Sequence, residues 1–255
     1  MRSGPVCLPV LIVLALGVLA PLTAAEPQPL FNRNNLDGWE IWVDAAGPAA
    51  EPASLFRNED GVIHVYPTQT EGTTQPFAGL VTRRDYSRYV LRLEYRWGAT
   101  RFAPRHDSVR DSGILFHVYE LGRIWPAGVE CQVQEGDTGD IWTIGTRTTT
   151  KTRKDSRNYG PDGAPETRGG KDARYARFGR SYCWERPGWN ELEITVNGPT
   201  AVYRLNGKVV NEVVNMERWN AASGSYEPLT AGRILLQAEG AEIFYRNVTL
   251  QELAP

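Results

Sequence analysis

The sequence predicts an all-β protein, a sandwich or jelly roll of antiparallel strands. From Val62 onward apolar and polar residues alternate with a period of two, and the spacing typical of amphipathic helices hardly appears. Turn-forming residues separate the alternating segments at short intervals, as in antiparallel sheets. About 230 residues follow the first 25, a length that fits a single all-β domain over residues 26–255.

Individual strands can be read from this alternation. In "YVLRLEYRW", residues 89–97, aromatic and aliphatic side chains fall on one face and charged side chains on the other. The segment "ELEITVNG", residues 191–198, repeats the pattern. Asn206-Gly207 lies between two further strand-like runs and favours a tight hairpin, because both residues accept positive φ. The segments "RILLQAEG" and "AEIFYRNVTLQEL" complete the predicted strands near the C-terminus.

Two segments interrupt the alternation. Ala45–Ala53 is rich in alanine and proline and predicts a loop. The segment from about 145 to 188 is long, polar and basic, and we expect a partly ordered loop that folds over another part of the protein. Its aromatic side chains support partial order; they are Tyr159, Tyr175, Phe178, Tyr182 and Trp184.

The N-terminus has the pattern of a secretory signal peptide over residues 1–25. Arg2 precedes an apolar run at Val6–Ala20, and small residues end at Ala25. We therefore expect a secreted or periplasmic protein. No later segment approaches the roughly 18 to 20 apolar residues of a membrane helix, so no integral membrane segment is expected after signal removal.

Charge and cysteine content narrow the range of partners. Without Arg2, the 28 basic side chains become 27 against 30 acidic ones, and this balance disfavours a nucleic-acid partner. Cys131 and Cys183 remain in the mature chain, where they either form one disulfide or stay two independent thiols. The sequence leaves both options open.

The segment "GVECQVQEGDTGD", residues 128–140, concentrates polar side chains on a predicted strand. Its polar face carries Glu130, Gln132 and Gln134. Cys131 belongs to the opposite, apolar face. Glu135 also falls on that face unless a break near Gly136 redirects it toward Glu130.

Several segments together resemble the 3-keto-disaccharide hydrolase domain family. They are "LFNRNNLDGWE", "GVIHV", "GLVTRRDYSRYVLRLEYRW", "DSGILFHV", "GVECQVQEGD", "GWNELEITVNGPTAVYRLNGKVV" and "GRILLQAEGAEIFYRNVTLQEL". Their order and spacing carry the resemblance from about Leu30 to Leu253. The resemblance implies a concanavalin A-like jelly roll of two curved antiparallel sheets, with a carbohydrate site on the concave face.

The chain departs from the family pattern at two places. Asp111 stands where the family commonly has Asn in Asn-Ser-Gly-Ile, and Glu135 stands where Glu-x-Gln-x-x-Asp ends in Asp. With the resemblance, Glu130, Glu135 and His117 become the candidate catalytic residues. Without it, Glu130 would be read as part of a solvated strand face and His117 as a structural histidine.

Two reactions fit these residues. Retaining hydrolysis needs a nucleophilic carboxylate and a proton donor about 5 to 5.5 Å apart, which Glu130 and Glu135 can supply. Elimination is open to a 3-keto-glycoside, because the C3 carbonyl acidifies the hydrogen on C2. This route needs a base near C2 and an electrophile at the carbonyl oxygen. His117 or Glu130 can act as base or acid, and Arg246 or a carboxylate-bound cation can polarise the ketone.

The remaining candidates bind substrate or a metal ion. The predicted substrate-binding residues are Gln132, Gln134, Asp111, Asp140, Trp142 and Arg246. Trp142 can instead pack in the core, and Arg246 can instead form an anchoring ion pair. No histidine or cysteine spacing suggests zinc, whereas Glu130, Glu135, Asp137 and Asp140 can hold calcium.

A second class of function stays open. A non-catalytic carbohydrate-binding module of the same fold would use Trp125 and Trp142 as stacking platforms.

Overall fold

A computed structural model of the chain describes Met1 and residues 25–254. Apart from Met1 and Ala25, the predicted signal peptide lies outside the described residues. In the part that is described, no helix has the length and apolar character needed to cross a membrane.

The described chain is built from nineteen strands and one short helix, α1 (Pro52–Leu55). In chain order the strands are β1 (Gln28–Pro29), β2 (Trp39–Val43), β3 (Phe56–Glu59), β4 (Val62–Val65), β5 (Ala78–Thr82), β6 (Arg88–Arg101), β7 (Asp111–Val118), β8 (Gly128–Gln134), β9 (Ile141–Ile144), β10 (Thr146–Thr152), β11 (Ala164–Gly169), β12 (Tyr175–Phe178), β13 (Asn190–Asn197), β14 (Thr200–Leu205), β15 (Lys208–Val213), β16 (Asn215–Asn220), β17 (Ser225–Pro228), β18 (Arg233–Ala238) and β19 (Ala241–Glu252).

These strands form three sheets. The front sheet has the order β12-β9-β8-β7-β18-β5-β2, and the back sheet has the order β15-β14-β13-β6-β19-β4-β3, with β1 paired to β19. A smaller side sheet has the order β11-β10-β16-β17. Neighbouring strands pair antiparallel, for example β7 with β8 and β6 with β13. The predicted all-β, antiparallel fold class is confirmed.

The alternation in β6 shows how the core forms. Tyr89, Leu91, Leu93 and Tyr95 are buried, as the sequence pattern predicts. They belong to one apolar cluster that also contains inward residues of the front sheet, such as Ile114. Each fully buried side chain of this kind contributes about 1.5 to 3 kcal/mol, so the two facing apolar surfaces hold the sheets together.

The predicted hairpin at Asn206-Gly207 is present. It joins β14 to β15, and both residues have positive φ, 49° for Asn206 and 76° for Gly207. Asparagine and glycine tolerate this backbone conformation better than other residues, which is why the sequence signal was reliable.

The outer face of the front sheet, away from the main core, is also partly apolar. Val81, Leu115, Ile144 and Leu235 are buried there in a second, smaller cluster, against which Trp125 packs. The front sheet is therefore covered in part on both faces. This second cluster supports one side of the cleft described below.

The segment predicted as a long basic loop over 145–188 contains three strands. β10 and β11 belong to the side sheet, and β12 forms an edge of the front sheet. Threonines alternate through β10, and all four at positions 146, 148, 150 and 152 are buried. Threonine is β-branched and favours strands, but the charged side chains between and after these threonines made the segment look like a polar loop.

Cys131 and Cys183 are both free thiols. Cys131 is buried in the core, as its place on the apolar face of β8 predicted, and Cys183 is exposed. The disulfide that the sequence left open is not formed in this structure.

Candidate functional site

A cleft of about 300 Å³ lies on the outer face of the front sheet. Side chains from β7, β8, β9, β12 and β18, together with three residues outside the strands, surround it. They are Arg105, Asp111, Trp125, Glu130, Gln132, Gln134, Trp142, Ile144, Tyr175, Gln237 and Glu239. Five of the nine candidate site residues from the sequence line this cleft.

The period of two along β8 places its polar residues in the cleft. Glu130 and Gln132 are buried, with 5% and 6% of their surface exposed, while Val129, Cys131 and Val133 belong to the main core. Glu130 pairs with Leu115 of β7 on one side and Trp142 of β9 on the other. The strand thus holds Glu130 in the middle of the front sheet.

Gly113 of β7 makes room for Glu130. A Cβ atom at Gly113 would lie 1.9 Å from Glu130 Oε1 and 2.4 Å from Gln237 Oε1. Both side chains therefore reach over the glycine backbone from neighbouring strands. Any larger residue would displace one of the two oxygens.

Three carboxyl groups lie in this cleft, and a single arginine, Arg105, pairs with two of them. Arg105 Nη2 lies 2.5 Å from Asp111 Oδ2, and Arg105 Nη1 lies 3.1 Å from Glu239 Oε1. Gln132 Nε2 donates to the other oxygen of Asp111 at 2.9 Å. We call Asp111, Glu130 and Glu239 the proton-retaining cluster, because burial favours the protonated form of each carboxyl.

Burial raises the pKa of all three groups. Burial, with the nearby Glu239 and Asp111 carboxyls, raises the pKa of Glu130 well above its usual range. The pKa of Glu239 rises to about 8, chiefly through burial and then through Asp111, with Arg105 opposing. Burial raises the pKa of Asp111 to about 6, and Arg105 limits the rise. Near neutral pH the cluster therefore holds protonated carboxyls beside an ionised one.

Aromatic rings form the walls of the cleft. Trp142 of β9 and the loop residue Trp125 line it together with Tyr175 of β12, which is 52% exposed. The Arg177 guanidinium lies 5.8 Å from the Trp142 ring centre. Rings of this kind present flat apolar surfaces to the faces of sugar rings.

His117 does not line the cleft. Regular alternation along β7 would place it on the same face as Asp111 and Gly113, but its φ of 51° interrupts the strand. The ring is fully buried, and its Nε2 atom lies 2.8 Å from the carbonyl oxygen of Gly198, between β13 and β14. Burial lowers the pKa of His117 to about 4. The sequence pattern could not reveal the irregular backbone.

Glu135 is turned away from Glu130. It follows the end of β8, before Gly136 with φ of 84°, and forms an ion pair with Arg110, Nη2 to Oε1 at 2.7 Å. Arg101 Nη2 lies 3.5 Å from its other oxygen. The hydrogen bond from Arg110 lowers the pKa of Glu135. The break near Gly136 exists, but it directs Glu135 to these arginines.

Asp140 also binds arginines rather than facing the cleft. It is fully buried, and its Oδ1 atom accepts from the Arg180 backbone at 2.7 Å, while Oδ2 pairs with Arg177. Asp137 pairs with the same two arginines at 2.7 and 3.1 Å. These contacts hold β12, and therefore Tyr175, beside β9. We call Glu135, Asp137 and Asp140 the arginine-paired cluster.

Arg246 lies on the back sheet. Its Nη2 atom is 2.6 Å from Glu94 Oε2, and its guanidinium stacks 4.0 Å from the Trp189 ring centre. This is the anchoring ion pair that the sequence left as the alternative.

The four acids considered for calcium do not converge. Glu130 lies in the cleft, while Glu135, Asp137 and Asp140 are occupied by arginines. Across residues 25–254, no three His, Cys, Asp or Glu side chains are grouped so as to hold a metal ion.

Of the cleft residues that escaped the sequence prediction, three carry charged or amide side chains. Arg105 comes from a loop, while Gln237 and Glu239 come from β18 and the residue after its end. The signal was the period of two in "LLQAEG", where Gln237 and Glu239 interrupt an apolar run on one face. Only the pairing of β18 with β7 shows that this face meets Glu130.

Fold and site together define a β-sandwich of the concanavalin A-like type with an acidic, aromatic-walled cleft on one sheet. Residues 26–251 match the 3-keto-alpha-glucoside-1,2-lyase-like domain, and the chain belongs to that family. Among curated proteins none matches the chain.

Solved structures share the fold. A provisionally assigned glycosyl hydrolase from Parabacteroides distasonis ATCC 8503 is 19% identical, covers 89% of this chain and 100% of its own, and has a TM-score of 0.53. LamAcat from Zobellia galactanivorans is 12% identical over 91% of this chain and 98% of its own, with a TM-score of 0.50. At these identities the likeness concerns the fold alone.

Proposed function

We propose that the protein cleaves the glycosidic bond at C1 of a 3-keto-glucoside by elimination, in the cleft on the front sheet. The proton-retaining cluster carries this proposal, because it combines a carboxylate with neutral carboxylic acids in one buried site. Membership of the lyase-like family supports the same reaction. We further propose that the protein acts outside the cytoplasm, as its N-terminal sequence predicts.

The reaction needs one base and two proton or hydrogen-bond donors. The base takes the hydrogen on C2, a C1–C2 double bond forms, and the C1–O bond breaks. The departing oxygen receives a proton and leaves as an alcohol, and the sugar remains as an unsaturated ketone. Addition of water to that ketone would complete a net hydrolysis.

The carboxyl groups differ in a way that suits these tasks. Asp111, whose pKa is raised to about 6 against about 8 for Glu239, is the base, and Arg105 and Gln132 hold it in place. Glu130 retains its proton and gives it to the departing oxygen. Glu239 is also protonated near neutral pH and donates a hydrogen bond to the C3 oxygen as negative charge develops there.

Glu130→Gln tests the proposal most simply. Loss of a general acid lowers the rate about 10²- to 10⁴-fold, so cleavage of a 3-keto-glucoside with an alkoxide leaving group should fall by that range. A 4-nitrophenyl leaving group needs no proton, so the variant should cleave that substrate at a rate close to the wild type. Release of the alcohol and of nitrophenol measures the two rates.

Glu191→Gln is the matched control, since Glu191 is an exposed glutamate on β13 of the back sheet. This variant should cleave both substrates like the wild type. Equal loss on both substrates in Glu130→Gln would remove the acid role of Glu130, and unchanged rates would remove Glu130 from the reaction.

A non-catalytic sugar-binding module is the second candidate, favoured by the aromatic walls Trp125, Trp142 and Tyr175. It requires sugar binding by the wild type without turnover of any 3-keto-glucoside. Calorimetry with the same sugars separates the two functions.

A further inference from the structure

One buried acceptor in the cleft has no hydrogen-bond partner. Gln237 is only 1% exposed, and its Oε1 atom is buried without a partner among the described residues. Leaving a buried acceptor unpaired is unfavourable, so such atoms in binding sites commonly await a donor from the ligand. The side chain sits at the floor of the cleft, above Gly113.

Gln237 Oε1 and Glu130 Oε1 approach the same point over Gly113. Because Gly113 has no side chain, these two oxygens lie side by side over its backbone, and the ring walls of the cleft rise beside them. A ligand group that fits there must be small and must donate a hydrogen bond.

A neutral donor suits this position better than a cation. Arg105 already balances the ionised Asp111, and the other two carboxyls of the cluster hold protons near neutral pH. The floor of the cleft therefore has no uncompensated negative charge to attract an ammonium group. A hydroxyl is the small neutral donor that a sugar ring provides.

We propose that Gln237 binds one ring hydroxyl of the sugar through its side-chain carbonyl oxygen, and so selects sugars that carry that hydroxyl. The inference rests on the proposed function for the class of ligand. It adds a specificity residue on β18, across the β7 strand from Glu130, that acts on binding and takes no part in the proton transfers.

Inhibition by unreactive sugars tests this role separately from the chemistry. Methyl α-glucoside and its 2-deoxy, 4-deoxy and 6-deoxy analogues lack the ketone and serve as competitive inhibitors of 3-keto-glucoside cleavage. For the wild type, one of the three deoxy analogues should have a Ki at least about tenfold weaker than the parent sugar, the value of one neutral hydrogen bond.

Gln237→Met keeps the side-chain volume but loses the hydrogen-bond acceptor. In this variant the Ki of methyl α-glucoside should rise to the Ki that the wild type shows for that same deoxy analogue. Gln251→Met, a glutamine replaced on β19 of the back sheet, should keep the wild-type preference. If Gln237→Met fails to fold, Gln237→Leu, a second apolar side chain of similar size, should abolish the same preference.

The proposal is overturned if the wild type binds all four sugars equally, or if Gln237→Met keeps the wild-type preference. The failure of the proposed function looks different: the wild type would then cleave no 3-keto-glucoside and bind none of the glucosides. In that case no sugar is available to Gln237, and the hydroxyl assignment falls with it.

Discussion

The proton-retaining cluster includes Glu130 of β8, and the arginine-paired cluster lies in the turn just after β8, yet the two clusters have opposite electrostatic surroundings. In the first, three buried carboxyls have one arginine, Arg105, which pairs with Asp111 and Glu239. In the second, three carboxylates meet four arginines, Arg101, Arg110, Arg177 and Arg180. The ratio of arginines to acids, more than the acids themselves, distinguishes the two.

The number of neighbouring arginines therefore distinguishes acids suited to proton transfer from acids that anchor the chain. Scarcity of positive charge keeps protons on buried carboxyls, which makes them able to donate near neutral pH. An excess of arginines holds acids in ion pairs that fasten the chain, here β12 to β9 and the end of β8 to the loop at Arg110. Acids close in sequence thus serve different ends.

The largest expected loss of stability at neutral pH comes from Asp140→Asn. This change removes the fully buried carboxylate that pairs with Arg177 and Arg180, while Asp137 remains as the second partner of both arginines, so the loss should be about 1.5 to 3 kcal/mol, the worth of hydrogen bonds to a charged group. Urea unfolding at neutral pH measures the loss. Asp172→Asn, at an exposed aspartate paired with Lys171, should cost less than about 1 kcal/mol. Equal stabilities of the two variants would contradict the anchoring role.

Glu239→Gln should alter how stability depends on pH. The pKa of Glu239 is raised from 4.5 to about 8 in the folded protein, so the folded state binds the proton more tightly than the unfolded state. Its contribution is fully present below 4.5 and is lost as pH rises through about 8.

The Glu239→Gln variant has no titrating group at this position and does not lose this contribution to stability as pH rises. Relative to the wild type, its free energy of unfolding should therefore gain on the order of 4 kcal/mol between about pH 5 and about pH 9. Urea unfolding of both proteins at the two pH values gives the difference. A constant difference across this range would show that Glu239 does not retain a proton on folding.

The smallest effect is expected for Glu135→Gln. Glu135 is partly exposed, and its ion pair with Arg110 is screened by solvent, so the loss should stay below about 1 kcal/mol and shrink with added salt. Because the lowered pKa of Glu135 stabilises the fold above its ordinary value, the difference should vanish as pH falls through the folded pKa. We expect cleavage within about twofold of the wild type. A large loss of cleavage activity would indicate that Glu135 contributes to the reaction or to substrate binding.

Local alternation predicted much of the fold and part of the site. It placed Glu130, Gln132 and Gln134 on one face of β8, Cys131 on the other, and the hairpin at Asn206-Gly207. These features depend on a few neighbouring residues, and the period of two in a strand describes them directly.

Features that depend on distant residues were not predictable in this way. The bulge at His117 reversed its face, and the arginines that bind Glu135 and Asp140 come from other segments. Glu239 joins Glu130 only through the register of β18 on β7. The alternation of buried and exposed residues in one strand does not identify the strand that pairs with it, so a single sequence could not place these contacts.

The fate of deuterium at C2 tests the central claim most directly. A 3-keto-glucoside labelled with deuterium at C2 should release the label to water as the C1 bond breaks, because in the proposed elimination Asp111 removes that atom. Mass spectrometry of the sugar product and a slower rate for the labelled substrate should report this, with enzyme-free substrate as the control for spontaneous exchange. Full retention of deuterium in the product, with no rate difference, would contradict elimination and indicate direct hydrolysis.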